Sequence, residues 1–162
     1  VWYRWFNDPA VTEFLIHGLI PNTVEAQEKF RLAHCDGRKK ICFALVAPHS
    51  PELIGTCSIN LDEPGYARRG EISLVIGAPR YRVGSIYFSI TAWQLDHAFF
   101  NLNLNSVYAA THECNEVVQL TLQRLGFQCC GIMRQTSYKH GRYWDSVWFD
   151  ILHSEWKKIR DT

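Results

Sequence analysis

At 162 residues, with 47% hydrophobic and 20% charged residues, the chain can build one domain with a substantial core and is too apolar to be disordered. A formal net charge of +1 argues against a general nucleic-acid binder, which needs a strongly basic face. No apolar run reaches membrane-spanning length, and the opening VWYRWFND lacks the basic-then-apolar pattern of a signal peptide.

Asp8 can cap a helix and Pro9 suits its first position, so DPAVTEFL begins one. PNTVEAQEKFRLAHCDG repeats the pattern: Pro21 with Asn22 or Thr23 opens it, acids fill the first turns and Gly37 closes it. KICFALVAP is a short strand. Pro48-His49-Ser50-Pro51 is a turn, and ELIGTCSINLD returns as the second arm of a hairpin. Pro64-Gly65 marks another turn before a third strand, RGEISLVIG. Tyr87 to Phe99 is predicted as a helix whose broad apolar face gathers Ile86, Ile90, Trp93, Leu95, His97, Ala98 and Phe99. SVYAATH is a fourth strand, and NEVVQLTLQRLGF a helix ended by Gly126. FQCCGIMRQTSY and RYWDSVWFDIL form a closing hairpin around Lys139-His140-Gly141. The strand–helix–strand from Glu71 to Thr111 should be a right-handed parallel crossover, which makes the sheet mixed, with helices on its faces. The fold class is α/β. No repeat or linker divides the chain, so residues 1–162 are read as a single domain.

The six cysteines form no C-x-x-C pair, which argues against structural zinc. Most of them read as small buried hydrophobes, and the setting as reducing and cytoplasmic. His112-Glu113-Cys114 offers too few ligands for a metal, and no metal site is expected. Arg38-Lys39-Lys40 and Lys157-Lys158 read as solvated surface. No nucleic-acid or membrane partner is expected.

Four stretches, in order and spacing, resemble a known family. They are YRWFNDPAVTEFL, ELIGTCSI, GEISLVIGAPRYRVGS…HAFFNLNLNSVYAATHECN and NEVVQLTLQRLGFQCCGIMR. Together they resemble the GNAT acetyltransferase superfamily, and within it the branch of ribosomal-protein N-terminal acetyltransferases and amino-sugar acetyltransferases. The resemblance implies a GNAT-like acyltransferase domain: a central mixed, mostly antiparallel sheet with a splayed parallel strand pair and helices on both faces. Relatives carry a strand before the first helix; here that strand is expected to be absent or cut away.

The same resemblance implies acetyl-CoA as cofactor. Its pyrophosphate would sit on the turn Arg82-Val83-Gly84-Ser85-Ile86-Tyr87, with Arg80 adding positive charge. Free N–H groups and the helix dipole at a helix start favour a phosphate there. The acetyl-bearing arm would run along Leu74, Val75 and Ile76 like an added strand, and Asn115 would bond the arm while capping its helix. Ser85 and Tyr87 stand where the family has small residues, and the Tyr87 ring is placed to crowd the pyrophosphate. A turn that binds nothing is the alternative. Glu71 is the candidate catalytic base, with an ordinary strand-end glutamate as the alternative. Leu122 and Val118 occupy the places where relatives put a Tyr or Ser proton donor. Trp2, Trp5 and Phe6 would either wall the acceptor pocket or fill the core, and Tyr138, Tyr143 and Trp144 share that ambiguity.

The expected function is acetyl-CoA-dependent N-acetylation of a primary amine on a small molecule, such as an amino sugar, or on a peptide N-terminus. The competing reading is a catalytically weak or inactive module that binds CoA, another ligand or a partner. The exposed final hairpin suggests a homodimer.

Overall fold

The computed structural model describes residues 1–15, 20–34, 39–62 and 66–162. Gly37 and the Pro64-Gly65 turn lie outside the described residues, as do His17, Cys35 and Arg38. Short helices α1 (Trp2–Trp5) and α2 (Pro9–Thr12) lead into α3 (Val24–His34). Asp8 caps α2, accepting from the Ala10 N–H at 3.0 Å, and Pro9 fills the first position as expected.

Strands β1 (Lys40–Val46), β2 (Leu53–Leu61) and β3 (Arg69–Ile76) form an antiparallel meander. A turn at Pro79–Tyr81 leads to α4 (Gly84–Asp96), which ends in a wider π-type turn at His97–Asn101. Then follow β4 (Ser106–His112), α5 (Glu116–Arg124), β5 (Gln128–Lys139), β6 (Arg142–Leu152) and α6 (His153–Arg160). The six strands lie in the order β1-β2-β3-β4-β6-β5, and β3–β4 is the parallel pair. The fold is therefore α/β with a mixed, mostly antiparallel sheet, and among the described residues no helix is long and apolar enough to cross a membrane.

Two sequence expectations change. Helix α4 starts at Gly84, three residues before the predicted Tyr87, because Val83 is extended and the chain turns into the helix immediately. Helix α6 lay outside the predicted elements. It follows β6 with no intervening residue, so no Gly or Pro announces it. Its Glu155 Oε2 accepts from the Leu152 N–H at 2.8 Å, and Trp156 donates its indole N–H to Asp96 at 2.9 Å. The Ile159 side chain fills the space a Cβ on Gly126 would need, and Gly126 adopts φ +92° to end α5.

The core lies on one face of the sheet. Ile59, Ile72, Val107, Phe149 and Ile151 meet Leu95, Phe99, Leu122 and Trp156 from the helices. Cys57 is buried, and its thiol pKa is pushed up to about 12 by that burial. Cys114, Cys129 and Cys130 are exposed, which corrects the expectation that most cysteines are buried. β5 forms a sheet edge whose side chains face solvent over most of its length.

Candidate active site

The parallel pair is brief. β3 and β4 match at Arg69–Ser106, Gly70–Val107 and Glu71–Tyr108 and then part. Beyond that point β3 continues to Ile76 along β2, while β4 continues to His112 along β6. Two cavities occupy the gap. One, of about 160 Å³, lies on the helix side between β3, β4, α4 and α5. The other, of about 400 Å³, lies on the opposite side under Trp2, Phe6 and Phe30. Both are lined by Leu15, Glu71, Ser73, Val75, Ala110 and Thr111, so they adjoin through the splay.

Strand alternation sorts the residues. Thr56, Ser58 and Asn60 on β2 pair with Val75, Ser73 and Glu71 on β3, and these side chains share one face. That face is small and polar: Ser58 Oγ and Ser73 Oγ lie 2.7 Å apart, and Asn60 donates to Glu71 Oε2 at 3.1 Å. The Glu71 carboxylate thus lines both cavities while one of its oxygens is oriented by an amide.

On the helix side, Tyr87, Thr91 and Gln94 recur along α4 and line the smaller cavity. Gln94 is buried and donates from Nε2 to the Ser58 carbonyl at 3.0 Å and the Ser73 carbonyl at 3.1 Å. This side chain braces β2 and β3 where β3 has lost β4. Burial raises the Tyr87 phenol pKa, partly offset by Arg82. Its side chain is among those lining the smaller cavity.

Among the described residues, the start of α4 carries no side-chain cap, and the Gly84 and Ser85 N–H groups have no backbone partner. Val83, Gly84 and Ser85 are exposed, and a Cβ built on Gly84 would meet nothing within 4 Å. Arg82 is committed elsewhere: its guanidinium donates to Ile76 O at 3.0 Å, Gly77 O at 2.7 Å and Ala10 O at 3.2 Å. It ties the end of β3 to α2. Arg80 pairs with Glu52 and lies over the Tyr81 ring.

The other expected site residues divide. Leu74, Val75 and Asn115 line the smaller cavity, and Asn115 Oδ1 caps α5 by accepting from the Val118 N–H at 3.4 Å. Ile76 is buried in the strand, and Val83 and Ile86 flank the helix start. Val118 and Leu122 face the cavity as plain apolar walls. Trp2 and Phe6 line the larger cavity, but Trp5 does not; a Cβ on Gly77 would fall 2.0 Å from its ring, so Trp5 packs on the β3 end. Tyr138 and Trp144 lie at the far end of the closing hairpin: Tyr138 meets Tyr143 edge-on and Trp144 donates to Lys139 O at 3.0 Å. Trp148, which sequence reading did not single out, lines the cavity instead. His112 bonds Ser137, and among the described residues no cluster of His, Cys, Asp or Glu suits a metal.

Strands that pair for three rungs and then part around a cavity, with the first turn of α4 reaching it through Tyr87, define a GNAT-type fold. The chain belongs to the acetyltransferase (GNAT) domain family, whose profile matches residues 1–128. It is 30% identical over 135 residues to a phosphinothricin N-acetyltransferase of Streptomyces coelicolor, covering 80% of this chain and 76% of that one. An uncharacterized N-acetyltransferase, p20, of Bacillus licheniformis is 26% identical over 158 residues, covering 94% and 86%. A spermidine N-acetyltransferase from Vibrio cholerae, crystallised with CoA and spermine, superposes with a TM-score of 0.86 at 19% identity, over 96% of this chain and 90% of that one.

Proposed function

We propose that the protein is an acetyl-CoA-dependent N-acetyltransferase acting on a primary amine, with residues 1–162 working as one domain. The splay carries this reading: beyond Glu71, β3 has no strand partner on its β4 side among the described residues and faces a cavity, Arg82 alone reaching the Ile76 carbonyl at its end, and the chain then leads to the exposed start of α4. The chain fits the group on that ground. The Gly84 and Ser85 amides, flanked by Val83, Ile86 and Tyr87, would hold the pyrophosphate with the helix dipole behind them. The inner edge of Leu74, Val75 and Ile76 would pair with the pantetheine arm, Ile76 through its N–H because its carbonyl already accepts from Arg82, and Asn115 would bond it from α5. Arg82 and Arg80 contribute charge at the mouth while anchored to the protein.

Bound acetyl-CoA supplies an activated acyl group. Glu71 would take a proton from the acceptor ammonium, directly or through one water, and a backbone N–H of the splayed strand would donate to the thioester oxygen. Val118 and Leu122 offer no proton, so the departing thiolate would take one from water, and the proton that the newly acylated nitrogen sheds would restore that water. The acceptor enters through the larger cavity under Trp2 and Phe6; amino sugars, peptide N-termini and other small amines remain candidates, and a cytoplasmic location fits the cofactor.

Thermal-shift titration should show stabilisation by acetyl-CoA, and free-thiol release should require an added amine. No stabilisation at millimolar cofactor overturns the reading. The apolar residues Val118 and Leu122 favour a second reading, a module that binds CoA with little transfer; stabilisation without amine-dependent thiol release selects it. Two copies pairing through the β5 edge would appear as a dimer in sedimentation.

A further inference from the structure

The parting strands divide the sheet into two halves, β1-β2-β3 and β4-β6-β5. Residues 8–15, which include α2, tie the halves together across the gap. From the β3 half, the Arg82 guanidinium donates to Ala10 O at 3.2 Å while it bonds Ile76 O and Gly77 O at the end of β3. From the β4 half, Lys139 at the tip of the β5–β6 hairpin donates from Nζ to Thr12 O and to Leu15 O, the latter at 2.8 Å. The tip is itself fixed: the Trp144 indole N–H donates to Lys139 O at 3.0 Å, and Arg142 covers the Trp144 ring. Lys139 is buried, which is rare for a lysine. A buried ammonium costs stability unless acceptors meet it. Here the acceptors are carbonyls at and just beyond the end of α2, where helix geometry leaves them without intrahelical partners.

Leu15 is where this tie bears on the site, because it lines both cavities at the splay through which they adjoin. Lys139 lines neither. We propose that Lys139 is a positioning residue for acyl transfer, holding Leu15 over the junction between the cofactor and acceptor cavities. This rests on the proposed acetyl transfer. The Leu15 side chain is apolar, so its part at that junction is to exclude water from the thioester while the amine approaches. Water admitted there would attack the thioester carbonyl carbon and the C–S bond would break, leaving acetate, free thiol and a proton. Amine attack releases the same thiol but leaves an amide. Lys139 therefore acts on the partition between the two routes, whereas a cation that only stabilises the fold would leave that partition alone.

The test measures amide formed per thiol released from acetyl-CoA, using the fastest of propylamine, glucosamine, spermidine and alanyl-alanine amide as acceptor, in wild-type protein and Lys139→Met. Methionine keeps an apolar stem and removes the donors. In Lys139→Met the amide-to-thiol ratio should fall about threefold or more, and kcat/KM for the amine about tenfold to a hundredfold. Acetyl-CoA affinity by calorimetry should stay within about threefold. A ratio unchanged within about twofold in the folded variant overturns the proposal, whatever its melting temperature. Should Lys139→Met fail to fold, Leu15→Ala, which leaves the anchor in place and removes the cover, must lower the same ratio; an unchanged ratio there overturns the proposal too. If no amine releases thiol from the wild type, the proposed transfer fails, and hydrogen exchange judges the tie on its own. Amides 10–15 should then exchange about tenfold faster in Lys139→Met than in wild type, and equal rates overturn it.

Discussion

The two faces of the sheet use the same strands for opposite purposes. On one, Ile59, Ile72, Val107, Phe149 and Ile151 are buried against α4, α5 and α6. On the other, Thr56, Ser58, Asn60, Glu71 and Ser73 pave a cavity under the short N-terminal helices. Because side chains alternate along a strand, neighbouring residues serve different faces: Ile72 lies in the core and its neighbours Glu71 and Ser73 in the site. Stability is concentrated on the first face, which frees the second to hold polar groups that a core would not tolerate.

That contrast is open to attack from both sides. Phe149→Ala empties a position only 1% exposed and should destabilise by about 3–5 kcal/mol in a denaturant melt. The opposite-face change Ser58→Ala should cost about 1 kcal/mol or less; equal losses would break the division. Glu71→Gln should slow thiol release about a hundredfold or more, with acetyl-CoA affinity in calorimetry nearly unchanged. Full turnover in that variant removes Glu71 from the chemistry. Gln94→Leu tests the brace that joins the faces: it removes the donor to the Ser58 and Ser73 carbonyls and should cost about 1–3 kcal/mol, while weakening cofactor binding through the loosened strand. Tyr87→Ala is the smallest. A ring that must swing out of the cleft taxes cofactor entry, and removing it should tighten CoA roughly fivefold.

Most of the architecture was legible because its punctuation is local. Prolines, glycines and period-two alternation mark β1 through β6, and Gly126 closes α5 where expected. Helix α6 escaped because Leu152 ends a strand and starts a helix at once. The site divided on a different ground. Glu71, Leu74, Val75, Tyr87 and Asn115 lie on the elements that form the splay, so finding those elements puts them on the cavity. The acceptor wall depends on register. Trp144 and Trp148 project from the same side of β6, but four residues are about 13 Å of strand, and the difference separates a hairpin tip from a cavity wall. The alternation Ser146-Val147-Trp148-Phe149 held that information once the core face was known. Gln94 gave one faint signal, an amide amid the apolar face of α4; what it braces cannot be read from one strand's sequence.

The early end of the β3–β4 ladder has a thermodynamic consequence. A slot in the middle of a sheet belongs to the folded chain alone, so whatever fills it favours folding by mass action, by about 2.7 kcal/mol at a ligand concentration one hundred times the dissociation constant. With coenzyme as the filler, resistance to proteolysis would rise and fall with the acyl-thioester supply, and the molecule's lifetime would register the metabolic state around it.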